Sequence, residues 1–119
     1  MSTQPNPQSV AASKTAAIRA LNDQLRRTSR GGRIMCTVGV NALGTAAVVR
    51  ILRAIAAFEN FSPDNDPHGE HDFGAIEAEG ARIFWKIDYY DPSLTRHSHD
   101  PADPKVTERV MTVMLAEEY

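Results

Sequence analysis

The sequence has one cysteine, Cys36, in 119 residues, so a disulfide bond within the chain is excluded. It has no apolar run that approaches the roughly 18 residues needed to cross a membrane as a helix. Residues 1–12 have no basic region followed by an apolar stretch, which a secretory signal requires. These absences are typical of a cytoplasmic protein, and we expect no contact with a membrane.

The composition excludes several structural classes. Apolar residues make up 42% of the chain and charged residues 24%, which resembles an average globular protein and differs from collagen, coiled coils and disordered chains. The length fits one domain. Residues 1–12 are polar and contain two prolines, so we predict a disordered leader followed by a single domain over residues 13–119.

The formal net charge of −2 conceals an uneven distribution of charge. Residues 1–53 contain eight Lys or Arg and one acid, whereas residues 54–119 contain five Lys or Arg and fourteen acids. The sequence pI near 6.0 is far from that of a typical nucleic-acid-binding domain, so we expect the two halves to neutralise each other. The alternative is that Arg19, Arg26 and Arg30 form an open basic stripe for nucleic acid or an acidic partner.

Apolar spacing predicts two helices separated by a short strand. The first helix begins with Ser13 as N-cap, carries Ile18 and Leu25 on its apolar face, and ends at the glycine pair 31–32. Residues 33–38 are mostly apolar and predict a buried strand. The second helix runs from residue 43 or 45 to 58 with one apolar stripe.

Residues 73–90 predict a β-hairpin with its turn at residues 79–80, after a polar loop over residues 61–72. A two-residue turn pairs Glu77 with Arg82, a favourable cross-strand pair, and places His71 opposite Asp88. Alternation then predicts a core face and an outer face. The core face comprises Ile83, Trp85, Ile87 and Tyr89, and the outer face comprises Arg82, Phe84, Lys86 and Asp88.

The last element is predicted to be a helix. Asp103 is a suitable N-cap, Pro104 is a favourable first residue, and residues 110–116 carry no charge. The predicted order is therefore α-β-α-β-β-α. This order indicates the α+β class, with a small antiparallel sheet packed against two or three helices.

Four short motifs resemble those of a known family: GEHDFG at residues 69–74, FWKIDYYD at 84–91, DPADP at 100–104 and MLAEEY at 114–119. The chain is similar through them, over about residues 18–119, to a domain-of-unknown-function family of small bacterial proteins. These proteins are often carried on plasmids and other mobile elements. The resemblance implies an accessory of a mobile element that modulates a host defence or maintenance system, and it implies no particular reaction.

One group of residues is a candidate metal site. Glu70, His71 and Asp72 are contiguous, and His97 and His99 form a His-x-His pair, so imidazole and carboxylate ligands for zinc or iron are present. The alternative is that all five are solvated loop residues. We favour this alternative because the His-x-His pair lies in a proline-rich segment, and we expect no metal or other cofactor.

A second group is a candidate for acid–base catalysis. A hydrogen bond from one ring nitrogen of His71 to the carboxylate of Asp88 would make the imidazole a stronger base, and Lys86 would stabilise an anion on the same face. The simpler interpretation is a His–Asp bond that locks the loop to the strand. No nucleophile motif accompanies the pair, and Cys36 lies on the predicted buried strand.

The outer face of the hairpin is the best candidate for a binding surface. Phe73 and Phe84, flanked by Arg82 and Lys86, would form an exposed aromatic patch. We expect a protein partner, with a second copy of the chain and, less favoured, a nucleic acid as alternatives. The sequence thus predicts a binding protein, with a small metal-dependent or His/Asp enzyme as the alternative function.

Overall fold

The computed structural model describes residues 6–119 and contains a four-stranded mixed sheet with helices packed on one of its faces. The predicted α+β class is confirmed. Residues 1–5 of the predicted leader lie outside the described residues. The elements in chain order are helix α1 (Pro7–Thr28), strand β1 (Arg33–Cys36), helix α2 (Val38–Asn41), helix α3 (Thr45–Ala57), strands β2 (Phe73–Ala78), β3 (Ala81–Tyr90) and β4 (Glu108–Leu115), and a 3₁₀ turn (Ala116–Glu118).

Helix α1 begins at Pro7 rather than at Ser13. The side chain of Asn6 caps the helix by accepting a hydrogen bond from the Ser9 amide at 2.7 Å, and proline is favourable in the first turn. Residues 7–12 are therefore helical, and the prediction that this helix begins with Ser13 as N-cap is wrong. The helix ends before the glycine pair because Ser29 adopts a left-handed conformation, with φ 61°.

The sheet has the order β1-β4-β3-β2. Strands β2 and β3 form the predicted hairpin, and the pairing of Glu77 with Arg82 confirms its register. Strand β4 lies between β3, to which it is antiparallel, and β1, to which it is parallel. The sheet is therefore mixed rather than wholly antiparallel.

The predicted last helix is wrong, because residues 108–115 form the central strand β4. Asp103 accepts hydrogen bonds from the amides of Lys105 and Val106, so the residues around Pro104 form a turn. The uncharged stretch after Arg109 is rich in valine, threonine and methionine, which suits a strand with neighbours on both sides.

The core lies between the sheet and the two longer helices. The predicted core face of β3 is confirmed, since Ile83 and Trp85 are fully buried. They join a cluster that includes Leu25 of α1 and Ile51 of α3. A Cβ atom at Gly74 of β2 would collide with the indole ring of Trp85 on β3, so glycine is required at position 74.

Strand β1 lies at an edge of the sheet, and the prediction that it is buried is wrong. Its residues alternate between exposed and partly exposed, and Met35 keeps 56% of its surface accessible. No helix within residues 6–119 is both long enough and apolar enough to cross a membrane.

Candidate functional site

His71 lines a surface cavity of about 420 Å³ formed by the loop over residues 61–72. Its Nδ1 lies 2.9 Å from Oδ1 of Asp23 on α1, and its Nε2 lies 3.7 Å from Oδ2 of Asp66. The ring of Phe61 stacks on the imidazole with 3.7 Å between the ring centroids. The backbone of His71 is left-handed, with φ 55°, a conformation that few residues other than glycine adopt. The loop therefore holds this imidazole between two carboxylates and an aromatic ring.

Asp88, the predicted partner of His71, lies elsewhere. Its Oδ2 is 3.2 Å from Nζ of Lys86 on the same strand. Strand β2 begins only at Phe73, so the hairpin pairing does not reach back to His71. The histidine pairs with Asp23 instead, and the bond joins the loop to α1 rather than to a strand.

The surroundings of two carboxylates shift their pKa values in opposite directions. Partial burial alone would raise the pKa of Asp23, but hydrogen bonds with His71 and Arg26 outweigh burial and lower this pKa. Burial raises the pKa of Asp72, and the negative charge of Glu70 adds to this effect. The site thus stabilises one ionised carboxylate and disfavours the ionisation of another.

A buried polar network continues from the loop into the core. Asn22 donates to the Tyr89 hydroxyl at 2.8 Å and to the Glu70 carbonyl at 3.0 Å, and it accepts from Nε of Arg109 at 2.7 Å. The Tyr89 hydroxyl donates to the Glu70 carboxylate at 2.8 Å, and burial raises the pKa of Tyr89. The network fixes the loop relative to α1, β3 and β4.

Sequence reasoning missed two members of this network, Asn22 and Arg109. The sequence does contain a signal that Asn22 is buried. This residue lies one turn after Ile18 and one turn before Leu25, on the apolar face of α1. The burial of Arg109 follows only once residues 108–115 are recognised as a strand. Burial lowers the pKa of Arg109, which also donates to the carbonyl of Pro101.

The predicted metal ligands do not converge on one point. Glu70 accepts from Tyr89, and His97 and His99 are exposed on either side of the buried Ser98. Among residues 6–119, no group of three or more His, Cys, Asp or Glu side chains could hold a metal ion.

The open basic stripe considered for α1 is not formed. The side chain of Arg26 has no exposed surface, and its NH1 donates to three carbonyl groups at the end of α3, at 2.7–3.1 Å. Arg19 donates to the carbonyl of Gly69 at 3.0 Å, and Arg30 is exposed. Two of these three arginines therefore hold other segments against α1.

The outer face of the sheet, opposite α1 and α3, carries a groove of about 430 Å³, which we call the outer groove. Its lining is largely apolar and includes Met35, Tyr90, Leu94 and Val110. Met35 is 56% exposed and Leu94 is 39% exposed. No sequence motif indicates this groove, because its residues come from three strands and a loop.

The cations that the four strands place on the outer face are all paired with acids of the same face. These ion pairs, with nitrogen–oxygen distances of 3.0–3.4 Å, are Arg33–Glu108, Arg82–Glu77 and Lys86–Asp88. The outer face of the strands therefore carries little net charge.

The predicted aromatic pair on the outer face is present but partly covered. The ring centroids of Phe73 and Phe84 are 5.3 Å apart, and the guanidinium of Arg82 lies 5.6 Å from the Phe84 centroid. Tyr119 packs edge-on against both phenyl rings. The exposed patch is thus smaller than the sequence predicts.

Residues 36–118 match the model of a family described as Protein of unknown function (DUF3768). No curated protein and no solved structure matches the chain. The family match spans most of the chain, from the end of β1 through β4. The chain therefore belongs to this family of unknown function.

Proposed function

We propose that this member of the DUF3768 family acts by binding a protein partner in the outer groove. The observation that carries the proposal is a largely apolar groove with one wall, Met35, more than half exposed. Large exposed apolar patches are rare on monomeric proteins and commonly mark interaction sites. Its volume of about 430 Å³ is within the range typical of ligand-binding sites.

The chemistry of the groove favours an apolar protein segment as its occupant. Aromatic and methionine side chains such as Tyr90 and Met35 are common in protein interfaces. Because the strands around the groove carry little net charge, they favour neither a strongly acidic nor a strongly basic partner. A nucleic acid is disfavoured in particular, because each cation on the strands of this face already has a carboxylate partner, with which a phosphate would have to compete.

The enzymatic alternative has less support. Both ring nitrogens of His71 face carboxylates of the protein itself, Asp23 and Asp66, so neither nitrogen is directed at a substrate. The geometry supports a role in fixing the loop. The cytoplasmic location and the role as a mobile-element accessory rest on the cysteine content and the family resemblance, and they are part of the proposal.

Site-specific photo-crosslinking tests the proposal. A benzophenone amino acid replaces Met35 in the full chain, expressed in its native host, and Val10 serves as the control position. Val10 is also an exposed apolar residue, at 41%, but it lies on α1. We expect a protein adduct that forms at position 35 and not at position 10.

The adduct is then tested with purified components. We expect M35K to weaken binding of the purified partner at least about tenfold, as loss of a central interface contact does. V10K should leave the affinity unchanged. The proposal fails if position 35 gives no specific adduct, if the adduct is a nucleic acid or a second copy of the chain, or if M35K binds the partner as tightly as the native protein.

A further inference from the structure

A second cavity, of about 220 Å³, lies between the ends of α1 and α3 on the core side of the sheet. Its inner walls are apolar and include Ile34, Leu52 and Met111. Arg27 and Arg53 contribute to its lining and are exposed. The cavity thus combines an apolar interior with cationic side chains that water can reach.

The arginines of this cavity differ from those of the outer face. None of the ion pairs formed within residues 6–119 includes Arg27 or Arg53. Arg26 also lines the cavity, and its Nε is buried without a hydrogen-bond partner. The nearest acid on α1, Asp23, is already bonded to Arg26 and His71. The cavity therefore has an uncompensated positive charge.

We propose that this cavity binds a small apolar carboxylate, a molecule with one carboxylate group on a short acyl or aryl body. The apolar walls would take the body, and the exposed guanidinium groups of Arg27 and Arg53 would take the carboxylate, which suits their planar geometry. The volume equals that of about seven water molecules, so the ligand is small. Inorganic phosphate fits poorly, because it would leave the apolar walls unused.

Methionine methyl NMR of the full chain can test the site with hexanoate as the probe. Met111 forms a wall of the cavity, whereas Met35 lines the outer groove on the other face of the sheet. We expect hexanoate to shift the Met111 methyl signal with a Kd on the order of 1 mM, a value typical of small ligands. The Met35 methyl signal should stay unchanged, so this result is independent of binding in the outer groove.

Three arginine variants separate a specific site from general charge attraction. We expect R27Q and R53Q each to weaken hexanoate binding by about fivefold, as loss of one exposed charge contact does. R50Q is the matched control, because Arg50 lies one turn before Arg53 on α3 but pairs with Glu79 away from the cavity. Its affinity for hexanoate should equal that of the native protein.

Three outcomes would overturn the proposal. The first is no saturable shift of Met111 at about ten times the expected Kd. The second is equal binding of hexanamide, which has the same apolar body without the charge, or of inorganic phosphate, which has charge without the body. The third is an equal loss of affinity in R50Q and R53Q.

Discussion

Asn22 has no exposed surface, and its side chain bonds three other segments of the chain. Its loss would leave the Glu70 carbonyl and Nε of the buried Arg109 without these partners. Unpartnered buried polar groups cost about 1–3 kcal/mol each, and charged groups cost more. The stability of the fold therefore depends strongly on this one amide.

We expect N22A to lower the free energy of unfolding by about 2–4 kcal/mol, because more than one buried group loses a partner. Urea unfolding followed by the fluorescence of Trp85 measures this loss. N41A is the control, since Asn41 is exposed and its side chain donates a single bond to the Cys36 carbonyl. A loss in N22A no larger than that in N41A would show that the network contributes little.

The two shifted carboxylates make stability depend on pH in opposite ways. The raised pKa of Asp72 means that its ionised form opposes folding, so this penalty is absent at low pH and present once the pH exceeds the folded value. The lowered pKa of Asp23 means that its ionised form favours folding. That contribution is present above its ordinary value of 3.8 and is lost as the pH falls through the folded value.

We expect D72N to be more stable than the native protein at pH 7 and to lose this advantage as the pH falls below 3.8, the ordinary value for the residue. D23N should be less stable than the native protein at pH 7, with a difference that shrinks at low pH. Urea unfolding across this pH range measures both variants. The assignment of the shifts is wrong if D72N destabilises the protein at pH 7 or if both differences are independent of pH.

At the scale of the element, the sequence predicts structure where the signal is local. The hairpin register follows from the turn at residues 79–80 and from the alternation around Trp85. Strand β4 could not be identified this way, because an uncharged stretch fits a buried helix as well as a central strand. The conformation of this segment depends on the strands that pair with it, β1 and β3. Because β1 is distant in sequence, no local pattern indicates this pairing.

The same reasoning explains what could be predicted of the candidate site. The residue type of His71 indicates a site residue, but its partner Asp23 lies on α1, far from the loop in sequence, and no local pattern connects the two. The outer groove combines residues 33–37 with residues 90–112, so it becomes visible only when β1 pairs with β4.

Hydrogen exchange tests the central position of β4. Strand β4 is paired on both sides, and its Thr112 amide, which faces β3, should exchange only through global unfolding. Edge strand β1 is paired on one side, so its outward amides should exchange about a thousandfold faster or more. Comparable protection in the two strands, or helical NOE patterns over residues 108–115, would contradict the sheet order.

At the scale of the whole molecule, ion pairs connect the basic and acidic halves of the chain. Lys14 pairs with Asp100 at 3.9 Å, and Arg33 pairs with Glu108 at 3.0 Å. Arg50 pairs with Glu79 through two nitrogen–oxygen contacts. These contacts support the expectation that the halves neutralise each other in part. Within residues 6–53, the exposed arginines without an ion-pair partner are Arg27, Arg30 and Arg53, and they lie near the ends of α1 and α3.

These three arginines limit the affinity for nucleic acid. A protein that contacts three phosphates releases few counterions on binding. Its affinity therefore falls only about twentyfold when the salt rises from about 50 to about 150 mM. We therefore expect a gel shift with mixed-sequence duplex DNA to show weak retention at the lower salt and none at the higher. The triple variant R27Q/R30Q/R53Q should abolish the low-salt retention, and R50Q, whose native arginine is already paired with Glu79, should keep it. Retention that survives physiological salt and is lost in the triple variant would place the binding surface at the cationic end of the two helices rather than in the neutral outer groove.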